Sequence, residues 1–457
     1  MEKTRKEPMR YWYRELSDIV TVLVMTASFA WIWYRELNPL LYTSFLLKGN
    51  FLVIGVYMAF VILFMKTFGG FKINVYTKTN IIISQIIALF CAAVVQAFFV
   101  FILIGRVAMI PSILMSFGKM YAFQLVFVLI YVIIVMTIYH KVFKPYEVIL
   151  VCGSDDNISL YFDNQRLNYQ IKEKVRYDDA ALNDAIDKYQ VVLIDEVPEP
   201  QLSDVMKECF VKGKKVYFRP TISNIIVNSS KYAHLLDTPM YFSRDKAFTL
   251  PQRIVKRFGD ILISLIGIII TSPIMILTAL AIFFYDFGPV FYKQTRYTLN
   301  GKVFKIIKFR SMIQNAEKDG KARLATEKDD RITPVGRFIR ACRIDELPQF
   351  FNILKGDMSI VGPRPERPEI ADEYTKETPE FSYRLKVKAG LTGYAQVFGK
   401  YNTTHTDKLL LDLIYVENGS IKLDIMLILL TLKVVFQRES TEGLEEGKTT
   451  ALNKKLS

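Results

Sequence analysis

The chain has 457 residues, about three times a common single domain, so two or three domains are expected. Hydrophobic residues make up 51% of it and charged residues 23%, with a mean hydropathy of +0.21 and a formal net charge of +14. That mixture argues against a wholly soluble protein. It sets membrane segments beside polar domains whose partners are anionic: phosphate-rich substrate, acidic lipid or nucleic acid.

The first third holds four long apolar stretches, Leu16 to Tyr34, Phe51 to Met65, Ile81 to Gly105 and Tyr121 to Tyr139. About 20 apolar residues are needed to cross a bilayer as a helix. The second stretch reaches that length only by extending upstream past Lys48. No short apolar run with a small-residue cleavage site marks the first as a signal peptide. Lys3, Arg5, Lys6, Arg10 and Arg14 precede the first stretch, Lys66, Lys72 and Lys78 follow the second, and Lys141 and Lys144 follow the fourth. The positive-inside rule then places both ends of this four-helix transmembrane bundle (1–145) in the cytoplasm.

From 146 to 245 the pattern becomes α/β. "EVILVCG", "YQVVLID" and "KKVYFRP" read as buried parallel strands, alternating with helical segments such as "DDAALNDAIDKY". The first strand ends in Cys152-Gly153-Ser154-Asp155, which is not Gly-x-Gly-x-x-Gly. This Rossmann-like domain therefore reads as structural or regulatory. The four cysteines (91, 152, 209, 342) show no metal-like pairing and the three histidines are scattered, so a His-based metal site is not expected.

A third region, 246–440, opens with an apolar run at 258–285 that carries Ser272-Pro273 at its centre. Pro273 cannot donate to the carbonyl of Ile269, so a bend is predicted there. Each half spans roughly 17 Å, half a bilayer. Arg253, Lys256 and Arg257 precede the run, and Lys293, Arg296, Lys302, Lys305, Lys308 and Arg310 follow it. Both ends thus carry cytoplasmic signals, which favours a re-entrant helix over a fifth span. Thr271 and Ser272 are placed to bond the carbonyls freed at the break.

In "DELPQFFNILKGDMSIVGPRP" (345–365), Leu347, Phe350, Phe351 and Leu354 share one helical face, and Pro348 requires the helix to start near Asp345 or Glu346. Gly356 is its stop. Two adjacent acids at a helix start project in different directions, so one can attack while the other helps hold a divalent cation. An N-cap role alone would account for Asp345. It would not account for Arg331, Arg337, Arg340 and Arg343 before the pair, Arg364 and Arg367 after it, and Lys308 and Arg310 in "KFRSM". Such a setting suits a diphosphate substrate with Mg²⁺.

Residues 250–440 resemble the catalytic domain of bacterial polyprenyl-phosphate sugar-1-phosphate transferases, the monotopic phosphoglycosyl transferases. The matching stretches are "GPVFYKQTR" (288–296), "FKIIKFRSM" (304–312), "ITPVGRFIR" (332–340), "RIDELPQFFNILKGDMSIVGPRP" (343–365) and "VKAGLTGYAQV" (387–397). Ala389 and Tyr394 stand where the family often has proline and tryptophan, and both keep the local character. The resemblance implies that Asp345 attacks the phosphorus next to the sugar of a UDP-sugar, releasing UMP, with Glu346 assisting through Mg²⁺. Undecaprenyl phosphate would then take the sugar phosphate. Asp345 and Glu346 would be the metal-side carboxylates, and Lys308, Arg310, Arg337 and Arg364 the phosphate-binding cations. Glucose or galactose is the class of sugar it points to, in exopolysaccharide, capsule or O-antigen synthesis at the bacterial inner membrane, with the catalytic domain on the cytoplasmic face.

The predicted fold class is membrane α plus α/β: transmembrane bundle, Rossmann-like middle domain, and an α/β catalytic domain with a re-entrant helix. The apolar segment 421–436 contains Asp424 and Lys433 and fits either an interfacial helix or a core helix. Residues 441–457 read as a flexible tail. A membrane-anchored nucleotide-sugar epimerase or dehydratase would need a glycine-rich cofactor loop and a Tyr-x-x-x-Lys pair, and the chain has neither. A non-catalytic scaffold would not need the acid pair. Nucleic acid is not an expected partner, because the basic residues cluster beside membrane segments and around acids. A homodimer is compatible with the size of the protein, and the sequence does not select it.

Overall fold

The structure is a computed structural model and describes residues 2–153, 169–243, 248–314, 329, 331–399 and 403–435. The tail at 441–457 lies outside them. The chain forms two compact units, 1–219 and 220–457.

The first unit opens with four helices, α1 (Glu2–Ile32), α2 (Leu47–Phe68), α3 (Lys78–Ile104) and α4 (Ile110–Val142), each long and apolar enough to cross a membrane. The short second stretch becomes a full 22-residue helix by starting at Leu47 and ending at Gly69, whose φ of 75° needs a residue without a Cβ. α1 packs on α2 and α4, and α3 on α2 and α4. Phe29, Trp33 and Tyr57 fill the interior. The buried Gln124 amide donates to Ser28 Oγ (2.8 Å) and Tyr57 Oη (2.9 Å), so this amide nitrogen has partners in the bundle interior.

Next comes a four-stranded parallel sheet in the order β2-β1-β3-β4, from β1 (Tyr146–Cys152), β2 (Tyr169–Arg176), β3 (Val191–Asp195) and β4 (Lys215–Phe218). Helices α5 (Leu182–Lys188) and α6 (Glu199–Val211) pack Ile186, Leu202, Val205 and Cys209 on Ile149, Val151, Val192 and Ile194. The three expected strands are present. β2 is the additional one, an edge strand whose buried and exposed residues alternate. Gly153 passes so close to the Glu196 carbonyl that a Cβ would collide with it, so this glycine serves a chain crossing.

In the second unit, α7 (Ile222–Ser229) packs Ile225 against Leu409, Leu410 and Leu413, so residues 220–243 group here. A hairpin of β5 (Lys231–Leu235) and β6 (Thr238–Phe242) follows. Then α8 runs from Leu250 to Asp286 as one helix with Pro273 inside it. Ser272 Oγ donates to the Ile269 carbonyl (2.8 Å), the acceptor that Pro273 cannot serve, and Thr271 Oγ1 donates to Gly267 O (2.7 Å). Its outer face is a belt of exposed isoleucine, leucine and phenylalanine, among them Ile269, Ile270, Ile276 and Leu277.

Around α8 lie the hairpin β7 (Phe291–Tyr297) and β8 (Val303–Phe309), helix α9 (Pro334–Ala341), helix α10 (Gln349–Lys355) and the parallel pair β9 (Ser359–Val361) and β10 (Gly390–Thr392). Helices α11 (Pro368–Glu377), α12 (Tyr394–Phe398), α13 (His405–Asn418) and α14 (Ile421–Val435) complete it. α14 is a core helix: Leu427 and Leu430 are buried, and Asp424 meets Lys256 Nζ (2.7 Å) and Tyr415 Oη (2.8 Å). One end of α8 is bound through Arg257, which donates to the carbonyls of Ile353 (2.7 Å) and Leu354 (2.8 Å), and through Asp260, which accepts from Ser359 Oγ and Ile360 N at 3.0 Å. The other end packs Ile282 with Phe309 and Ile339 and pairs Asp286 with Arg310.

β9 and β10 approach through three glycines. A Cβ on Gly362 would run into Lys388 O, one on Gly390 into Gly362 N, and one on Gly393 into Gly362 O. Backbone cannot move aside as a side chain can. Gly362→Ala should therefore cost about 3 kcal/mol or more, the upper end of overpacking. Gly259→Ala, in α8 with open space at its Cβ, should be neutral or stabilise by about 0.5–1 kcal/mol. Thermal unfolding of both variants in detergent checks this; equal behaviour would refute the packing argument.

Candidate active site

The two acids do not open an α-helix as the sequence suggested. They sit on a 3₁₀ turn, Ile344–Glu346, one turn before α10. The cause is local. Arg343 adopts a left-handed φ of 58°, which sharply turns the chain out of α9. Pro348 then lacks the N–H that an α-helical bond to Ile344 requires. Hydrogen bonds of the tighter kind bridge the gap, Leu347 N to Ile344 O (3.2 Å) and Phe351 N to Pro348 O (3.1 Å). Gly356 ends α10 as expected, at φ 97°.

Asp345 and Glu346 are both buried, and their surroundings differ. Glu346 Oε1 accepts from Lys308 Nζ (3.0 Å), on β8, and from Arg364 Nη2 (2.9 Å), just after β9. Arg343 Nη1 lies 3.7 Å from Oε2. Burial alone would raise the Glu346 pKa, but Lys308, Arg364 and Arg343 together hold it well below the ordinary carboxylate range. Burial pulls the Lys308 ammonium down, against the pull of Glu346. Among the described residues no ion pair or side-chain hydrogen bond engages the Asp345 carboxylate. Burial, then the neighbouring Glu346, push Asp345 upward, against Lys308, Arg340 and Arg343. Asp345 is thus the less engaged and the more basic of the two carboxylates.

Of the cations picked out on the sequence, Lys308 and Arg364 join the acids. Arg310 instead is buried against Asp286 at the end of α8, with its other terminal nitrogen unpartnered. Arg337 is exposed on α9 and makes no ion pair among the described residues. Ser272 and Pro273 lie within α8. Arg343 lies beside Glu346, and Arg340 and Arg343 both act on the Asp345 charge. Arg343 is three residues before Glu346, a spacing that could have singled it out.

For a divalent cation, Glu346 Oε2 and the Asp345 carboxylate are the oxygens left over. Among the described residues no cluster of three or more His, Cys, Asp or Glu surrounds them. Two carboxylates fit Mg²⁺, which is commonly held by one or two protein carboxylates with phosphate and water completing its shell.

The asymmetry of the pair predicts opposite effects on stability. Glu346→Gln strands Lys308 in the interior and should cost about 2–3 kcal/mol at neutral pH. In the parent protein the Glu346 contribution is present above the unfolded carboxylate pKa, about 4.3, and is lost as pH falls toward the depressed folded value. Asp345→Asn removes a charge that the fold disfavours, and should leave stability unchanged or raised. Thermal unfolding of both variants across pH tests this; a loss with Asp345→Asn matching that of Glu346→Gln would contradict the assignment.

The sequence pattern of the family described as "Bacterial sugar transferase" matches residues 251–438. Among curated relatives, the UDP-N-acetylgalactosamine-undecaprenyl-phosphate N-acetylgalactosaminephosphotransferase of Aeromonas hydrophila is 39% identical over 236 residues, 50% of this chain and 54% of that protein. The UDP-glucose:undecaprenyl-phosphate glucose-1-phosphate transferase of Escherichia coli K12 is 36% identical over 217 residues, 46% of this chain and 47% of that one. The alignments thus span about half the length of these relatives. A shorter protein of Bacillus subtilis strain 168, a putative undecaprenyl-phosphate N-acetylgalactosaminyl 1-phosphate transferase, is 46% identical over 144 residues, 30% of this chain and 80% of its own. With its site residues inside the matched region, the chain belongs to the bacterial sugar transferase family.

Proposed function

We propose that this protein transfers a sugar 1-phosphate from a UDP-sugar to undecaprenyl phosphate. The observation that carries this reading is the pair itself: a buried carboxylate left unengaged, beside one fixed by three cations. The printed names of the relatives, which concern the same lipid acceptor, support it.

In the first step an Asp345 oxygen attacks the phosphorus next to the sugar. An Asp345 oxygen–phosphorus bond forms, the bond to the UMP oxygen breaks, and UMP leaves. In the second step a phosphate oxygen of the lipid attacks the same phosphorus, displaces the Asp345 carboxylate and forms the sugar diphosphate lipid. Each in-line displacement is helped by cations around the transferring group. Arg364, with 42% of its side chain exposed, keeps part of its guanidinium open to a phosphate while holding Glu346. Mg²⁺, when bound by Asp345 and Glu346, would neutralise charge on the diphosphate. Glucose or galactose remains the proposed sugar class, and N-acetylgalactosamine joins it through the relatives' names.

The site belongs at an inner-membrane surface. Both ends of α8 are bound to one body, through Lys256, Arg257 and Asp260 at one end and Ile282 and Asp286 at the other. A helix crossing the bilayer would leave its ends on opposite sides. This supports a helix that enters and returns on the cytoplasmic face, where lipid phosphate and soluble nucleotide meet. A single cysteine at Lys302, in a background without the four natural ones, should be labelled from the cytoplasmic side only. Labelling from outside intact cells would overturn that topology.

The activity is tested by UMP release with Mg²⁺, undecaprenyl phosphate and single UDP-sugars of glucose, galactose and N-acetylgalactosamine. Release from one donor is expected, with Asp345→Asn lowering it at least about 10³-fold, as loss of a covalent nucleophile does. Full turnover by Asp345→Asn would remove Asp345 from the reaction.

A further inference from the structure

Residues 362–368 read Gly-Pro-Arg-Pro-Glu-Arg-Pro. Three prolines in seven positions remove backbone donors and keep the residues before them out of helical conformation. Residues 362–367 lie in neither helix nor strand, and Pro368 opens α11, so the carbonyls before it need partners from elsewhere. Four successive carbonyls find four of them. Pro363 O accepts from Gly390 N (2.9 Å), Arg364 O from Arg384 Nη2 (2.9 Å), Pro365 O from Arg296 Nη1 (3.1 Å) and Glu366 O from Tyr297 N (3.1 Å).

The Arg384 contact is the one beneath the guanidinium that binds Glu346. Arg384 is itself almost fully buried, its side chain 5% exposed, and its partner Asp412 is 1% exposed at 2.6 Å. Glu366 Oε1 lies 3.8 Å from its Nη1, and Phe381 lies under the guanidinium, 4.8 Å from its centre. A charge pair buried this deeply is seldom the most stabilising choice, and hydrophobic residues of similar size often do as well or better. What an apolar pair could not do is donate to the Arg364 carbonyl.

We propose that Arg384, oriented by Asp412, is a positioning residue for the transfer reaction: it fixes the backbone of Arg364 and so sets the guanidinium that holds Glu346. Arg384 is separated from the acids by Arg364 and acts through it. This rests on the transfer reading above, and its test has one arm that does not.

The test uses the full chain in detergent or nanodiscs. In Arg384→Met/Asp412→Leu both charges leave together, so neither is stranded. Arg384→Lys keeps a cation opposite Asp412 while losing the planar guanidinium whose Nη2 serves both Arg364 O and Asp412 Oδ2. Leu413→Ala, a core cavity on the same helix, is the control for stability loss alone. Hydrogen exchange across 360–369 should rise in the double variant and stay low in Leu413→Ala. UMP release should fall about 10- to 100-fold. Adding Arg364→Gln to the double variant should cost little more. Arg384→Lys should fall between. A loss of UMP release that simply adds to that of Arg364→Gln, or unchanged exchange at 360–369, overturns the proposal. Should the parent protein release no UMP from any donor, the transfer reading fails, and the exchange arm alone decides whether Arg384 fixes this backbone.

Discussion

An ionised carboxylate inside a protein needs cations or donors around it, and the catalytic unit is organised by how Glu346 obtains them. Lys308 comes from β8, Arg364 from the segment after β9, and Arg343 from the turn that carries the acid itself. Three stretches spread between residues 308 and 364 are thereby fixed to one oxygen pair. The cations lose hydration as well, so the arrangement adds little net stability. What it provides is geometry. Asp345 is defined by contrast: adjacent in sequence, raised by burial and by Glu346, and engaged by no ion pair or side-chain hydrogen bond among the described residues.

Much of this was legible because it depends on local rules. Apolar runs of spanning length gave α1 to α4, and alternation of hydrophobic runs with helical segments gave three strands of the parallel sheet. Gly356 stops α10 where a left-handed φ is required. The spaced motifs became one site because their segments pack together: "FKIIKFRSM" contributes Lys308, "RIDELPQFF" the acids and Arg343, and "GPRP" Arg364.

What was not legible depends on tertiary partners. Lys256 and Arg257 read on the sequence as topology signals beside an apolar run. In the structure they are spent on Asp424 and on the carbonyls that end α10, so part of the apparent positive-inside signal is fold chemistry. Arg310 stands beside Lys308 in its motif, and the fold pairs it with Asp286, 24 residues upstream. β2 escaped notice because an edge strand with alternating polar residues lacks the continuous apolar run of its neighbours. The start of α10 was misplaced because a proline in a first turn is also compatible with a 3₁₀ approach, and the left-handed Arg343 selects it.

The same dependence explains why glycine and proline crowd the blocks around the acids. A strand such as β9 could hold Arg364 by ordinary pairing, but pairing also needs N–H groups and a pleat, and would limit where the guanidinium can point. The proline-rich segment gives up regular structure and is held carbonyl by carbonyl from Gly390, Arg384, Arg296 and Tyr297. That requires close approach of backbones, which Gly362, Gly390 and Gly393 permit. It also requires buried guanidiniums, which Glu366 and Asp412 balance. The position of the arginine that holds Glu346 is therefore specified by residues that, among those described, make no ion pair or side-chain hydrogen bond with either acid. In this unit, packing of backbone and placement of charge are one constraint, so a change in either should reach the reaction through Arg364.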